Sequence, residues 1–169
     1  PLPKYLYVPF GGCAITPIDR ATGYAVFAKG GYRVQPYLIQ RIEDRDGEVL
    51  MQASPATVCR QCEEIFLDES NKQPLSDLNA KMSSYIDEAD GPLPFEVPDK
   101  IAERAISPQN IYLMTSMMQD VIRLGTGRRA TQLGRGDIAG KTGTTNDQLD
   151  AWFSGFNPNI VTTTWVGFD

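Results

Sequence analysis

The chain contains no histidine among its 169 residues. This absence excludes catalytic triads that depend on histidine and every metal site with histidine ligands. Long hydrophobic runs are missing too, since no stretch approaches the roughly 20 apolar residues of a membrane-spanning helix. The N-terminus also lacks the basic and apolar regions of a signal peptide. We therefore expect any anchor or targeting element to lie outside this chain.

Cysteine is scarce, with Cys13 alone and Cys59 and Cys62 as a close pair. One pair is too small for a zinc site of four cysteines, although a site shared with another chain stays open. Glu63 and Glu64 follow the pair, and their charge disfavours the thiolate of a redox motif. A structural disulfide, two free thiols and a shared metal site are the remaining alternatives, and we expect no metal within this chain alone.

Charge is unevenly distributed along the chain. The net charge is −5, but residues 63–104 hold 11 acidic and 4 basic residues, a local balance of −7. Basic side chains accumulate instead near residue 141, where an anionic substrate would be attracted. They are Arg123, Arg128, Arg129, Arg135 and Lys141. With a pI of about 4.8, duplex nucleic acid is not an expected partner.

The first third of the chain shows one helix signal and one hairpin signal. Thr16-Pro17 is an N-cap followed by proline at the first helical position, and Gly30-Gly31 is expected to end that helix. Ile18, Ala21, Ala25 and Ala28 are predicted to form its buried stripe. Residues 32–42 are β-prone, and Asp46-Gly47 is a hairpin-turn dipeptide. We assign residues 1–52 to this helix-and-hairpin segment.

Residues 53–104 form an acidic, proline-containing segment without a clear hydrophobic period, apart from a short predicted helix at 75–86. We interpret the segment as a partly mobile insertion whose charge keeps it solvated. Its function is open between a spacer and a docking surface for a regulatory protein.

Regular patterns return in residues 105–169. Ser107-Pro108 is expected to start a helix that Gly125 ends. Residues 137–145, 150–156 and 160–168 are predicted to form three successive strands. Asn157-Pro158-Asn159 is a turn between the last two, and the β-branched run at 160–164 suits a half-buried sheet.

The first of these strands contains the sequence IAGKTGTT at residues 138–145. Within six residues it offers a lysine, three threonine hydroxyls and the backbone N–H groups of two glycines. Such groups bind an anionic or carbonyl-bearing ligand. The sequence therefore predicts a binding edge.

Three strings in order, RLGTGRRA at 123–130, DIAGKTGT at 137–144 and DAWF at 150–153, closely resemble the class A penicillin-binding proteins. The segments ITPI at 15–18 and GYAVFAKGGYRV at 23–34 are similar to an earlier part of the same enzymes. The resemblance implies an α/β (α+β) fold of the β-lactamase and penicillin-binding-protein transpeptidase type. That fold is an antiparallel sheet flanked by helices, here incomplete. The oxidising compartment that it implies favours the Cys59–Cys62 disulfide.

The resemblance also implies roles for individual residues. Lys141 and Thr144 would be catalytic, Lys141 as an oriented cation and Thr144 through its backbone N–H in the oxyanion hole. Substrate contacts would come from Thr142, Gly143, Thr144 and Thr145. The implied reaction is serine acyl transfer between peptidoglycan stem peptides, without a cofactor, in an enzyme that β-lactam antibiotics acylate.

The nucleophile that this reaction requires is not recognisable in the chain. No serine from Ser54 to Ser154 has lysine three positions later or asparagine two positions later. We therefore expect the serine outside this chain, in the remaining N-terminal part of the same protein or on another chain, and the fragment alone to be inactive. The family further implies an upstream glycosyltransferase domain and a location on the periplasmic face of the bacterial inner membrane.

Two other functions compete with this interpretation. The sequence RGDIAGKT at 135–142 nearly matches a phosphate-binding loop, but arginine replaces its first glycine, and the residues after Thr142 are poor helix formers. A non-catalytic module that binds cell-wall peptide or a partner protein is the other alternative.

Overall fold

The computed structural model describes residues 15–66, 78–89, 91–145 and 149–168. Its helices are α1 (Pro17–Ala28), α2 (Arg60–Phe66), α3 (Leu78–Glu88) and α4 (Pro108–Arg123), with a 3-10 helix at Arg128–Leu133. Its strands are β1 (Arg41–Glu43), β2 (Val49–Gln52), β3 (Ala139–Thr144), β4 (Asp150–Phe156) and β5 (Val161–Gly167). The chain divides into two compact units, Pro1–Tyr24 with Met117–Asp169, and Ala25–Ser116. We call them the sheet unit and the disulfide unit.

The sheet unit is built on an antiparallel sheet in the order β3-β4-β5. Lys141 lies opposite Ser154, and Gly143 opposite Trp152. Two glycines allow the strands to approach closely, because a Cβ added at Gly140 would lie 2.7 Å from the Ser154 carbonyl oxygen and one at Gly155 would lie 2.8 Å from the Phe153 ring. The three predicted strands are confirmed, and the antiparallel sheet agrees with the predicted fold class.

Helix α1 is less buried than its sequence predicts. It begins and ends as expected, with Thr16 Oγ1 accepting a hydrogen bond from the Asp19 N–H (3.2 Å) and Gly30 at φ 74° after its last turn. No residue of α1 is buried, however, and Ile18 is 47% exposed. The predicted buried stripe is therefore wrong. Within the sheet unit, the ring centroid of Tyr24 lies 6.1 Å from that of Phe156.

The disulfide unit has a hydrophobic core of its own. Cys59 and Cys62 are bonded, with their Cα atoms 5.3 Å apart, and they pack with Met82 of α3 and with Ile101. Partly buried side chains extend this cluster: Ile65, Leu93, Phe95 and Val97. The interpretation of residues 53–104 as a partly mobile, solvated insertion does not predict this core, in which a few apolar side chains and one disulfide pack within the acidic sequence.

Three other predictions about the disulfide unit have mixed outcomes. The hairpin is confirmed, since β1 pairs with β2 and Gly47 takes φ 86° in the turn. The strand predicted over residues 32–42 is largely wrong: only Tyr32 forms a bridge, to Arg104, before β1 begins. Helix α3 confirms the short helix predicted at 75–86, of which residues 75–77 lie outside the described part. The division into residues 1–52, 53–104 and 105–169 stays a prediction.

Among the described residues, no helix combines the length and the apolar character needed to span a bilayer. The same residues contain no cluster of three or more cysteine, aspartate or glutamate side chains placed to hold a metal ion.

Candidate functional site

The sequence AGKTGT of β3 forms an edge strand, with β4 on one side. Its other edge pairs with no strand of the described residues, and an unpaired edge presents a row of free backbone N–H and C=O groups. Lys141 and Thr144 are exposed, and Thr142 and Gly143 are partly buried. The predicted binding edge is therefore an open strand edge that can pair with an extended ligand.

Strand geometry shows which backbone groups face this open edge. The Thr145 N–H donates to the Asp150 carbonyl oxygen (3.0 Å), so the backbone of Thr145 faces β4. Because the N–H and C=O of one antiparallel residue point to the same side and successive residues alternate, Thr144 and Thr142 point away from β4. The Lys141 ammonium donates to the Thr142 carbonyl oxygen at 2.8 Å. A cation and the Thr144 N–H thus lie on the same open edge.

A turn of the chain reaches β3 from the end of α4. The Oγ1 atoms of Thr126 and Thr142 lie 2.5 Å apart, within hydrogen-bond distance. This contact joins the GTG sequence of residues 125–127 to the Lys-Thr-Gly sequence of residues 141–143. Thr126 lies between two glycines in the sequence, but no local pattern assigns it a role at β3.

The hydroxyl of Thr145 is engaged inside the β3–β4 hairpin. It accepts a hydrogen bond from the Asp150 N–H (2.9 Å) and donates to Asp150 Oδ2 (3.3 Å). The other carboxylate oxygen of Asp150 accepts from Trp165 Nε1 at 2.9 Å. This network ties Thr145 to β4 and β5, whereas the other candidate threonines belong to β3 itself.

Arg20 is a residue near the site that the sequence analysis did not identify. Its guanidinium lies over the Trp152 ring, 4.7 Å from the centroid, a cation–π geometry. A Cβ added at Gly143 would lie 3.3 Å from the terminal Nη2 of Arg20. Because that atom ends a flexible side chain, this contact alone does not require glycine at position 143.

The hydroxyl opposite Lys141 in the sheet is not accessible to a substrate. Ser154 is fully buried and its Oγ lies 3.1 Å from Thr163 Oγ1. The arginine nearest in sequence to β3, Arg135, is paired with Asp137 at 2.6 Å. The ammonium of Lys141 lies at the open edge, and none of the ion pairs among the described residues includes it.

The geometry of β3 removes one alternative function. A phosphate-binding loop requires a helix that begins at its lysine, so that the helix N-terminus caps the phosphates. Lys141 instead lies inside a strand that pairs along its length with β4. The nucleotide-binding interpretation is therefore wrong.

Residues 4–167 match the family described as the penicillin-binding protein transpeptidase domain. The chain belongs to this family. Curated relatives of this transpeptidase segment include penicillin-binding protein 1A of Pseudomonas aeruginosa, 46% identical over 99% of the chain, and that of Neisseria gonorrhoeae, 40% identical over 99%. The segment spans 21% and 16% of those two proteins.

A solved structure supports the same assignment. Penicillin-binding protein 1A from Haemophilus influenzae is similar to this transpeptidase segment with a TM-score of 0.66 and 34% identity. The match covers 92% of this chain and 22% of that protein. This chain therefore has a part of the fold of the penicillin-binding protein transpeptidases.

Proposed function

We propose that this chain supplies the Lys-Thr-Gly wall of the active site of a peptidoglycan D,D-transpeptidase. The observation that carries the proposal is the open edge of β3, where the Lys141 ammonium bonds the outward carbonyl of Thr142 and the Thr144 N–H points the same way. Membership of the transpeptidase family supports it. The nucleophilic serine would come from residues of the full-length protein outside this chain.

In this proposal the serine hydroxyl attacks the carbonyl of the penultimate D-alanine of a stem peptide. An ester to the serine forms, the peptide bond breaks and the terminal D-alanine leaves with a proton. An amine of a second stem peptide then attacks the ester, which forms the crosslink and restores the serine. A β-lactam acylates the same hydroxyl by opening its ring.

Each residue of the open edge has a part in these steps. The Thr144 N–H donates to the oxyanion that develops at the attacked carbonyl, a contribution of about 3 kcal/mol in comparable sites. The Lys141 cation stabilises negative charge near the serine. The hydroxyls of Thr142 and Thr144 bind the terminal carboxylate of the stem peptide, and Gly143 leaves room for its backbone. The Thr145 hydroxyl bonds Asp150 and holds the hairpin, and its predicted contact with the substrate stays a prediction.

The whole protein is proposed to be a bifunctional glycosyltransferase and transpeptidase on the periplasmic face of the inner membrane, with its anchor outside this chain. Binding of a regulatory protein to residues 53–104 stays a prediction.

Labelling of the full-length protein with a fluorescent penicillin tests this function. We expect one covalent label per molecule, which unlabelled β-lactam prevents and prior heat denaturation abolishes. A folded protein that takes no label would contradict the proposal and would favour a non-catalytic module that binds cell-wall peptide.

A further inference from the structure

We propose that Thr126 is a positioning residue for the hydroxyl of Thr142, and through it for the carboxylate of the substrate. This inference rests on the proposed function. The two Oγ1 atoms lie 2.5 Å apart, and Thr126 is exposed while Thr142 is partly buried. Thr126 therefore stands in direct contact with the group that would bind the carboxylate.

The direction of this hydrogen bond follows from counting protons. A threonine hydroxyl has one proton and can accept two hydrogen bonds. If Thr142 is to donate its proton to a ligand carboxylate, the proton between the two threonines must come from Thr126. A hydroxyl that already accepts a hydrogen bond is also a stronger donor, because neighbouring hydrogen bonds polarise each other. Thr126 thus fixes both the orientation and the donor strength of Thr142.

The backbone around Thr126 holds it in this position. The N–H of Gly125 donates to the Asp120 carbonyl oxygen and that of Gly127 to the Val121 carbonyl oxygen, both at 3.0 Å. A Cβ added at Gly125 would lie 3.0 Å from backbone atoms of Val121, and one at Gly127 would lie 2.8 Å from Ile122 Cδ1. The turn therefore folds tightly onto the end of α4, and the glycines on both sides of Thr126 make that possible.

A purely structural role of Thr126 can be distinguished from a positioning role by the ligands whose reaction slows when its hydroxyl is removed. If its hydroxyl only tied the turn to β3, its removal would affect every ligand alike. If it orients Thr142, its removal affects ligands that carry the carboxylate and spares those in which the carboxylate is masked.

The experiment measures the second-order rate of acylation of the full-length protein by a β-lactam and by its methyl ester. We expect Thr126→Val to slow acylation by the free acid about tenfold, near the upper end of what one neutral hydrogen bond contributes, and to leave the slower reaction of the ester unchanged. Thr126→Ser, which keeps the hydroxyl, should retain the rate with the acid. Thr131→Val is the matched control, because the Thr131 hydroxyl of the adjacent 3-10 helix donates to the Arg128 carbonyl oxygen at 2.8 Å and, among the described residues, has no hydrogen bond to β3.

A double substitution completes the test. In a Thr142→Val background, Thr126→Val should cause no further loss with the acid, because its effect passes through Thr142. Equal losses with acid and ester, or additive losses in the double variant, overturn the inference while the proposed function stands. Partial unfolding of Thr126→Val lowers the acylation rates with the acid and with the ester by the same factor. The ratio of the two rates therefore still reports on the carboxylate. Failure of the unaltered protein to acylate overturns the proposed function and this inference together.

Discussion

Two arginine–carboxylate pairs, one in each unit, differ strongly in their exposure to water. In the sheet unit, Arg135 and Asp137 pair at the surface, with side chains 54% and 45% exposed. In the disulfide unit, Arg104 and Glu63 pair with side chains only 16% and 5% exposed. Exposed pairs contribute little, whereas a pair withdrawn from water is costly to break. The Arg135–Asp137 pair thus stays in contact with water, whereas the Arg104–Glu63 pair is largely withdrawn from it.

The buried pair belongs to a closed network. The Tyr32 hydroxyl donates to Glu63 Oε2, and Arg104 donates to both Glu63 oxygens and to the Gly30 carbonyl oxygen, the last at 2.9 Å. Burial opposes the charge of Glu63, but hydrogen bonds from Arg104 and Tyr32 outweigh it and lower the carboxyl pKa below its ordinary value. Burial and the Glu63 carboxylate raise the pKa of Tyr32 to about 12. The network joins α2 to both bridged residues, Tyr32 and Arg104.

Replacing one member of this network is the largest expected perturbation. Arg104→Ala leaves the Glu63 carboxylate buried without its cation, and we expect it to destabilise the protein by about 3 kcal/mol. Thermal unfolding of the full-length protein, with hydrogen exchange of the α2 amides, measures the loss. Arg135→Ala is the matched control and should leave the melting temperature nearly unchanged. Equal shifts in the melting temperatures of Arg104→Ala and Arg135→Ala would show that the buried pair contributes no more to stability than the exposed one.

Acid should weaken the same network by a smaller amount. Because the pKa of Glu63 is lower in the folded state than its ordinary 4.5, the unfolded chain takes up the proton first as pH falls. The contribution of Glu63 is therefore fully present above the ordinary pKa and is lost as pH falls through the lower, folded pKa. In melting curves from pH 7 to 3, Glu63→Gln should start less stable than the unaltered protein and converge with it in acid. Parallel curves would contradict this linkage.

Opening the Cys59–Cys62 disulfide should cost about 2 kcal/mol, the chain-entropy estimate for so short a loop. The melting temperature before and after reduction measures this cost, and a Cys59→Ala/Cys62→Ala variant should lose its sensitivity to the reductant. We expect penicillin labelling to persist in reduced protein, since the disulfide lies in the other unit. An unchanged melting temperature on reduction would show that the bond adds nothing to stability.

The sequence predicted the strands of the sheet unit better than the core of the disulfide unit, for physical reasons. Strand β4 is a local run with three aromatic residues and β5 is a β-branched run, while β3 holds the Lys-Thr-Gly sequence. The core around Met82 and Ile101 is different, because its members are scattered through an acidic segment and meet only through tertiary contacts. The contact of Thr126 with Thr142 was equally invisible, since no pattern within either segment specifies the distance between them. Local sequence patterns therefore predict helices and strands. Contacts between distant segments become known only from the three-dimensional structure.

Lys141→Ala tests the open edge directly. We expect penicillin acylation of the full-length protein to slow roughly tenfold or more, because an oriented cation near the developing charge is lost. Stability should be retained, since Lys141 is exposed. Arginine is not expected to restore the rate, being planar and bulkier. Lys100→Ala, another exposed lysine, is the matched control. An unchanged rate for Lys141→Ala would count against the role of this cation.

The smallest expected effect concerns Thr145, which directly follows Thr144 at the end of β3. Thr145→Val removes the acceptor of the Asp150 N–H, which lies 2.9 Å from Thr145 Oγ1, and should cost about 1 kcal/mol of stability. Because that hydroxyl is already bonded within the hairpin, we expect acylation to change less than twofold. Thr164→Val, at an exposed position of β5, is the control for the melting temperature. A slowed acylation with unchanged melting would instead place Thr145 in contact with the substrate and extend the open edge by one residue beyond Thr144.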